Sequence, residues 1–253
     1  MKILIVGFLK TGTKSMCQAL RILGYNVSEH GRNFEELYED WMEFLQGKGN
    51  FEDLRKMFRG YDATSDTLVL AYWKEFLKAF PDIKLILTIR DDKYECAKSF
   101  INQYTKYNES AFSFPLSVFS LKARRWWDLE RDSVAKFCKP PFEIKGYEIC
   151  KKIPILDQDQ YAKYYEDHNN DVLENAPRDQ LLIFNVKEGW DPVCQFLGHE
   201  LPDVPFPHEN KNGSTTAHRL KHDSYVEEMY TEMYFTLALL ALVITIVAAY
   251  LWY

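Results

Sequence analysis

The sequence has 253 residues, of which 47% are hydrophobic and 27% charged, and its formal net charge is −6. A chain of this size can bury one α/β core with a cap but is short for two full domains, and its acidic balance argues against nucleic acid as the main partner. The cysteines, Cys17, Cys96, Cys138, Cys150 and Cys194, are odd in number and lack C-x-x-C spacing. They predict reduced cytosolic thiols rather than a disulfide framework or a zinc site.

A phosphate-binding loop is predicted after the first strand. Residues 2–6 are a nearly unbroken apolar run, which is typical of a buried parallel strand. Apolar residues then recur at helical spacing from Met16, in a helix that Gly24 closes. The turn between them would present backbone N–H groups and the positive end of the helix dipole to an anion. The expected contacts of this loop are Gly7, Lys10, Thr11, Gly12, Thr13, Lys14 and Ser15.

The spacing of the glycines separates this loop from two common nucleotide-binding loops. The ATP and GTP loop requires Gly-Lys-Ser/Thr at its end, whereas Thr13 stands between Gly12 and Lys14 here. The dinucleotide loop G-x-G-x-x-G is matched only by Gly7 and Gly12. A nucleotide kinase or NTPase and an ordinary glycine turn remain alternatives. The hydroxyl-rich composition, with Lys10 inside the loop, favours a phosphate-bearing ligand.

Two polar side chains are expected on the acceptor side of this loop. Residues 28–31 form a polar loop that carries His30, and helices are predicted over 33–46 and 51–58. Residues 60–66 predict a short strand that ends at Asp66, before a helix over 69–80. Asp66 would lie at the carboxyl edge of the sheet, where open parallel sheets place catalytic groups, or would cap the following helix.

A second buried strand, predicted over residues 84–89, delivers Arg90 to the same edge of the sheet. Its guanidinium suits a second phosphate because the fork can donate paired hydrogen bonds to two oxygens, although a salt bridge with a nearby carboxylate is the alternative. A helix is predicted over 93–103, and Lys98 and Ser99 on that helix could assist in binding the phosphate.

The second half of the chain predicts a cap and the rest of the sheet. Residues 104–157 are unusually aromatic and predict an irregular cap over an acceptor site, helical only near 116–137, with ordinary core packing as the alternative. The following pattern predicts a helix over 159–175, a buried strand over 181–186 and a short helix over 191–197.

A membrane span is predicted over residues 233–253, which contain no charged residue and carry aromatic residues at both ends. As a helix this segment would be about 30 Å long, the thickness of a bilayer core. A buried helix is the alternative. The sequence thus predicts a domain over 1–217, a juxtamembrane helix or linker over 218–232 and a single-pass anchor. Because no secretory signal precedes the first strand, we expect a tail anchor with the domain in the cytosol.

Several stretches fall into the order of one known family. They are residues 7–15, 60–66, 71–75, 80–91, 165–169, 182–192, 196–198 and 206–207. In this combination the chain resembles the P-loop sulfotransferase-like family over residues 1–212. The resemblance implies a three-layer α/β fold of the nucleotide-kinase type, a parallel sheet with helices on both faces. It also implies binding of 3′-phosphoadenosine 5′-phosphosulfate, with residues 10–15 at the 5′-phosphosulfate and Arg90 at the 3′-phosphate.

Three positions depart from the pattern of that family. Sulfotransferases usually place a serine where this chain has Lys98, and Ser99 follows one residue later. Asp92 replaces a proline that often follows the Arg-Asp pair, and Asp66 occupies the strand-end position of a histidine in cytosolic sulfotransferases. The departures concern the contacts to the 3′-phosphate and the group that accepts the proton.

Residues and resemblance together predict a membrane-anchored sulfotransferase. It would move a sulfuryl group to a hydroxyl or amine of a small-molecule acceptor, with Lys10 stabilising the leaving phosphate and Asp66 or His30 accepting the proton. No metal is expected, because the sulfuryl group carries less charge than a phosphoryl group and no strand ending in a magnesium-binding aspartate is evident. A P-loop nucleotide kinase or NTPase and a catalytically inactive membrane adaptor are the alternatives.

Overall fold

The computed structural model describes residues 1–28, 30–65, 67–110, 112–137, 155–208 and 224–252. It is a mixed α/β structure with four parallel strands and many helices. The strands are β1 (Ile3–Ile5), β2 (Ala63–Thr64), β3 (Lys84–Ile89) and β4 (Leu181–Asn185). The helices are α1 (Thr13–Ile22), α2 (Arg32–Glu35), α3 (Tyr38–Leu45), α4 (Phe51–Met57), α5 (Thr67–Ala79), α6 (Lys93–Glu109), α7 (Ser117–Phe119), α8 (Leu121–Phe137), α9 (Gln158–Asn175), α10 (Trp190–Leu197) and α11 (Ser224–Trp252). A π-helical segment, Phe112–Leu116, leads into α7.

The sheet has the strand order β2-β1-β3-β4. Ile3 pairs with Ala63 on one side and with Lys84 on the other, so β1 lies inside the sheet. The chain passes from β1 to β2 on one side and then crosses to β3 on the other. The carboxyl ends of β1 and β3 therefore flank a topological switch point, the place where open parallel sheets bind ligands.

Buried side chains form two clusters, because successive residues of a strand point to opposite faces of the sheet. Leu4 and Val6 belong to the larger cluster, which includes residues of α5, α6, α8 and α9. Ile3 and Ile5 belong to the smaller one, which includes residues of α1 and α10. Apolar runs such as residues 84–89 are buried on both faces, as the sequence predicted for parallel strands.

Several predicted elements differ from the observed ones in their bounds. The helix predicted over 33–46 is divided into α2 and α3, and Asn33 lies inside α2, where its Oδ1 accepts a hydrogen bond of 3.0 Å from Trp41 Nε1. The strand predicted over 60–66 is shortened to the two residues of β2. Helix α6 extends past residue 103 to Glu109, because Tyr104 and Tyr107 continue its buried face.

Helix α11 begins within the domain and then leaves it. Tyr225, Val226, Met229 and Met233 are buried in the larger cluster. From Tyr234 onward the helix is exposed almost throughout, and its most apolar stretch has no buried residue. By length and composition it is a candidate membrane span, in agreement with the apolar segment read from the sequence.

Candidate functional site

The candidate site lies at the carboxyl ends of β1 and β3. The loop from β1 to α1 crosses this edge, and Arg90 follows β3 directly. Helix α1 begins at Thr13 with Gly12 as its N-cap. Glycine has no side chain and therefore supplies no capping hydrogen bond. The first N–H groups of a helix lack intrahelical partners, so this helix end suits an anion. The arrangement expected around the loop, a strand before it and a helix N-terminus after it, is therefore present in the fold.

The loop approaches its neighbours too closely for side chains at its two glycines. A Cβ on Gly7 would lie 1.8 Å from Thr88 Oγ1 and 2.7 Å from the Thr88 backbone nitrogen. Gly12 has a φ of 104°, in the left-handed region, and a Cβ there would lie 2.4 Å from Val186 Cγ1. Only glycine meets both requirements without strain. The glycines predicted from spacing thus allow the loop to lie against β3 and the end of β4.

The hydroxyl of Thr11 is used inside the protein. Thr11 is fully buried, and its Oγ1 donates a hydrogen bond of 2.6 Å to the Phe8 carbonyl oxygen. Thr11 Oγ1 also lies 2.7 Å from Thr88 Oγ1, and since its own hydrogen is engaged, it accepts the hydrogen of Thr88. Thr11 therefore fixes the loop to β3 by its side chain, and what it can offer a ligand is its backbone.

Lys10 brings a poorly hydrated ammonium group to this edge. Its φ of 67° is uncommon for a residue with a side chain. The ammonium donates a hydrogen bond of 2.6 Å to Gln103 Oε1 of α6. Burial, assisted by the positive charge of Arg90, lowers the pKa of Lys10 from 10.5 to about 8. An anion bound here would restore the charged state of Lys10, so the site favours a ligand that carries negative charge.

Arg90 is exposed at the end of β3, and its backbone is held by α9. Its N–H donates to the Tyr165 hydroxyl at 3.2 Å. The two following carboxylates are engaged away from the guanidinium. Asp91 pairs with Lys187 and accepts from Asn185, which lowers the pKa of the Asp91 carboxyl. Asp92 is the N-cap of α6 and accepts from the Tyr94 N–H at 2.7 Å. Asp92, which replaces the proline of the family pattern, thus caps the N-terminus of α6.

The remaining predicted residues have different surroundings. Lys98 is exposed and forms an ion pair of 2.7 Å with Glu95, whereas Ser99 is half-buried. The ring of His30 packs edge-on against Phe34, 4.9 Å between centroids, beyond the β2 side of the sheet. Asp66, predicted at the end of the second strand, lies outside the described residues.

The other residues of the loop lie at the start of α1. Thr13 is half-buried, Lys14 is exposed and Ser15 is buried. All three belong to the first turn of the helix, where the backbone N–H groups point out of its end. The predicted loop residues are therefore brought together with Lys10 and Arg90, whereas His30 belongs to a different part of the carboxyl edge.

Helix α9 supports the loop through residues that the loop motif did not include. The Tyr161 hydroxyl donates to the Leu9 carbonyl oxygen. His168 Nε2 lies 2.7 Å from the Val6 carbonyl oxygen, which can only accept, so this nitrogen carries the hydrogen. Burial lowers the pKa of His168, which keeps the ring neutral. The Phe8 ring packs edge-on against Tyr161, with centroids 5.3 Å apart.

The signal for these supporting residues was present in the sequence as a stripe of aromatic residues at helical spacing in 159–175. Such a stripe is ordinary for a core helix. Only the fold shows that Tyr161 and His168 reach the backbone at Leu9 and Val6, and that Tyr165 reaches the backbone of Arg90. Among the described residues, no group of three or more His, Cys, Asp or Glu side chains could hold a metal ion.

Comparison with known proteins assigns this arrangement to a family. A sequence profile of the sulfotransferase domain matches residues 2–215. The chain belongs to the sulfotransferase domain family. The resemblance read from the motifs is thereby confirmed. One relative of this sulfotransferase-family chain is "Ava biosynthesis cluster protein M" of Aspergillus versicolor, which is 27% identical over 238 residues, 87% of this chain and 85% of the relative.

The sulfotransferase domain match includes the loop, Arg90 and α9, and it ends before α11. The described residues of the candidate site therefore lie within the matched region. The apolar helix is an addition beyond the matched region, and its role has to be argued from its own contacts.

Proposed function

We propose that the protein transfers a sulfuryl group from 3′-phosphoadenosine 5′-phosphosulfate to a hydroxyl or amine of a small-molecule acceptor, and that α11 holds it on a membrane. The observation that carries the proposal is Lys10, a half-buried lysine with a pKa lowered to about 8, in the loop between β1 and the N-terminus of α1. Membership of the sulfotransferase domain family supports the same reaction class.

The donor nucleotide would lie across the switch point of the sheet. The 5′-phosphosulfate would accept hydrogen bonds from backbone N–H groups of residues 11–15 and from the ammonium of Lys10. Arg90, exposed at the neighbouring strand end and close enough to lower the pKa of Lys10, would bind the 3′-phosphate. Lys98 and Ser99 would be its helpers; the ammonium of Lys98 is paired with Glu95, and Ser99 is half-buried.

The transfer requires one bond to form and one to break at sulfur. The acceptor oxygen or nitrogen attacks the sulfur, and the bond from sulfur to the bridging phosphate oxygen breaks. Negative charge develops on that oxygen, where Lys10 and the N-terminus of α1 stabilise it. The proton of the acceptor passes to a base, for which Asp66 is our first candidate and His30 the second.

The test is isothermal titration of the full-length protein in nanodiscs with 3′-phosphoadenosine 5′-phosphate and, separately, with ATP and magnesium. We expect the bisphosphate to bind and Lys10→Met to weaken it by about one to two decades, because a charge-assisted hydrogen bond contributes about 1.5–3 kcal/mol. Lys48→Met, at an exposed lysine on a distant turn, is the matched control. Binding of ATP with magnesium alone would support a kinase or NTPase, and binding of neither would support an adaptor.

The role of Arg90 is tested by a pair of ligands. Arg90→Ala should weaken the bisphosphate by about one to two decades and leave adenosine 5′-phosphosulfate, which lacks the 3′-phosphate, nearly unchanged. Equal losses for both ligands would remove Arg90 from the 3′-phosphate site.

The base is tested by turnover at saturating donor concentration. We expect Asp66→Asn to abolish transfer and His30→Ala to leave most of it. The opposite result would assign the proton to His30.

Membrane attachment and topology are tested in sealed microsomes. We propose that the domain faces the cytosol, which accords with the buried thiols of Cys96 and Cys194. Added protease should then digest the domain and leave a short membrane fragment. A domain that is protected until detergent is added would lie in the lumen.

A further inference from the structure

The helix that leaves the domain has no spacer between its docked and its apolar part. Met233 is its last fully buried residue, and the most apolar stretch follows without a break in the helix. Residues 234–252 rise by about 28 Å as a helix, which matches the hydrocarbon core of a bilayer. If this stretch spans the membrane, the bilayer surface begins at about Tyr234, next to the surface of the domain.

Docking of α11 is specific rather than a loose contact. Glu232 Oε2 accepts from Ser120 Oγ at 2.7 Å and from the Lys122 N–H at 3.0 Å. Glu228 pairs with the Lys122 ammonium. These bonds join the third turn of α11 to the point where α7 ends and α8 begins. The domain can therefore not rotate freely about the anchor helix.

The direction of α8 shows which part of the domain is nearest the membrane. Ser120, just before α8, and the Lys122 N–H lie beside Glu232, and the Lys122 ammonium lies beside Glu228 and Tyr225. Farther along α8, Trp126 packs on Phe34, 5.8 Å between ring centroids, and the Phe34 carbonyl oxygen accepts from the hydroxyl of Tyr225 near the beginning of α11. Helix α8 therefore runs away from the apolar part of α11, and its first residues are the ones closest to the expected bilayer surface.

Exposed apolar side chains lie near the beginning of α8, the part of the domain closest to the expected bilayer surface. Leu121, the first residue of α8, is 54% exposed although it lies between two residues that bind Glu232. Phe114 is 55% exposed and belongs to the π-helical segment, which contacts α11. Arg124, one turn along α8, is exposed and donates to the Val118 carbonyl oxygen at 3.2 Å, which leaves further guanidinium donors for an anion.

We propose that Phe114, Leu121 and Arg124, which we name the α7–α8 corner, are a second membrane contact, occupied by phospholipid. The two apolar side chains enter the interfacial layer, and the guanidinium binds lipid phosphate. This inference rests on the membrane anchoring by α11 proposed above. The anchor helix argues for lipid as the occupant, because it brings the bilayer surface to the level of the corner. The domain then lies against the membrane in one fixed orientation.

The experiment measures lipid contact at single positions of the full-length protein in phosphatidylcholine–phosphatidylserine nanodiscs. A fluorescent amino acid is incorporated at position 121, and its quenching by nitroxide-labelled phospholipid is recorded. Position 201 is the matched control, since Leu201 is 57% exposed and follows α10, which packs on the other face of the sheet. Position 239, in the exposed part of α11, reports on the anchor itself.

We expect strong quenching at 121 and 239 and little at 201. Quenching at 239 without quenching at 121 would still support membrane anchoring by α11 but would refute the lipid contact of the α7–α8 corner. Equal quenching at 121 and 201 would also refute it, because the contact would not be specific to the corner. Loss of quenching at 239 would refute the anchor and the corner together. As a second arm, Arg124→Glu should reduce the quenching at 121 and leave that at 239 unchanged.

Discussion

The protonation of Lys10 gives the sharpest test of the site. Its pKa in the free protein is lowered from 10.5 to about 8, mainly by burial. At pH 8 about half of the molecules therefore carry a neutral Lys10, and at pH 7 about one in ten do. A bound 3′,5′-bisphosphate places negative charge against the ammonium and raises this pKa again. Binding should accordingly take up about half a proton at pH 8 and about a tenth of a proton at pH 7.

Proton uptake is measured by titrating the full-length protein with the bisphosphate in buffers of different ionisation enthalpy. The slope of the observed enthalpy against the buffer enthalpy is the number of protons taken up. In Lys10→Met the slope at pH 8 should fall to near zero. An unchanged slope in that variant, or no slope in the parent protein, would refute the assignment of Lys10 to the bound phosphate.

The same lowered pKa predicts a cost to stability. A shift from 10.5 to about 8 corresponds to roughly 3 kcal/mol against folding. The unfolded chain binds the extra proton between these two values, so the cost is full below pH 8 and disappears as the pH rises toward 10.5. Lys10→Met should therefore raise the free energy of unfolding at pH 7 by up to about 3 kcal/mol. A decrease in urea denaturation would contradict this reasoning.

The remaining predictions concern packing and pH. Gly7→Ala should destabilise the protein by about 1–3 kcal/mol or more in urea denaturation, because a Cβ would lie 1.8 Å from Thr88 Oγ1. The pKa of His168 is lowered by burial, so stability should be full above pH 6.5 and should fall below it, by at most about 1.4 kcal/mol per pH unit. A chain ended after residue 223 should unfold at lower urea concentration than one ended after Thr236, because it lacks four buried side chains that contribute about 1.5–3 kcal/mol each.

Each of these predictions has a control within the chain. Gly31→Ala makes the same substitution at an ordinary φ of −57°, where a Cβ would meet only the end of the Glu35 side chain at 3.2 Å, so its cost should be smaller than at Gly7. His168→Gln should flatten the stability profile below pH 6.5. Equal stability of the two shortened chains would show that the docked turns of α11 do not contribute to the core.

The strands and the phosphate loop could be predicted because local residues determine them. Residues 84–89 are apolar and β-branched over a length that suits a buried strand, and β3 has these bounds. Position 7 requires glycine because Thr88 lies too close for a Cβ, and position 12 requires it because its backbone is left-handed. Both requirements are visible in the sequence as a glycine. The local sequence pattern was therefore sufficient to predict β3 and the phosphate loop, which form the candidate site.

The support of the site could not be predicted, because it depends on contacts distant in sequence. Nothing near Gln103 indicates that it accepts from Lys10, and nothing in α9 indicates that Tyr161 reaches the loop. The sequence predicts a juxtamembrane helix or linker over 218–232, and nothing in it indicates that Glu228 and Glu232 bind the domain. The partners of these two residues, Ser120 and Lys122, lie where α7 ends and α8 begins, far away in the chain.

The position of β1 in the sheet also has a consequence for synthesis. This strand is made before its neighbours, yet Ile3 pairs with Ala63 and Lys84, and Leu85 in turn pairs with Leu181. The nascent chain must therefore keep β1 unpaired until β2 and β3 are made, and one edge of β3 unpaired until residues 181–185 are made. Parallel pairing at such separations is slow and leaves strand edges open to other chains. We expect chaperones to engage the first residues of the nascent chain until β3 leaves the ribosome.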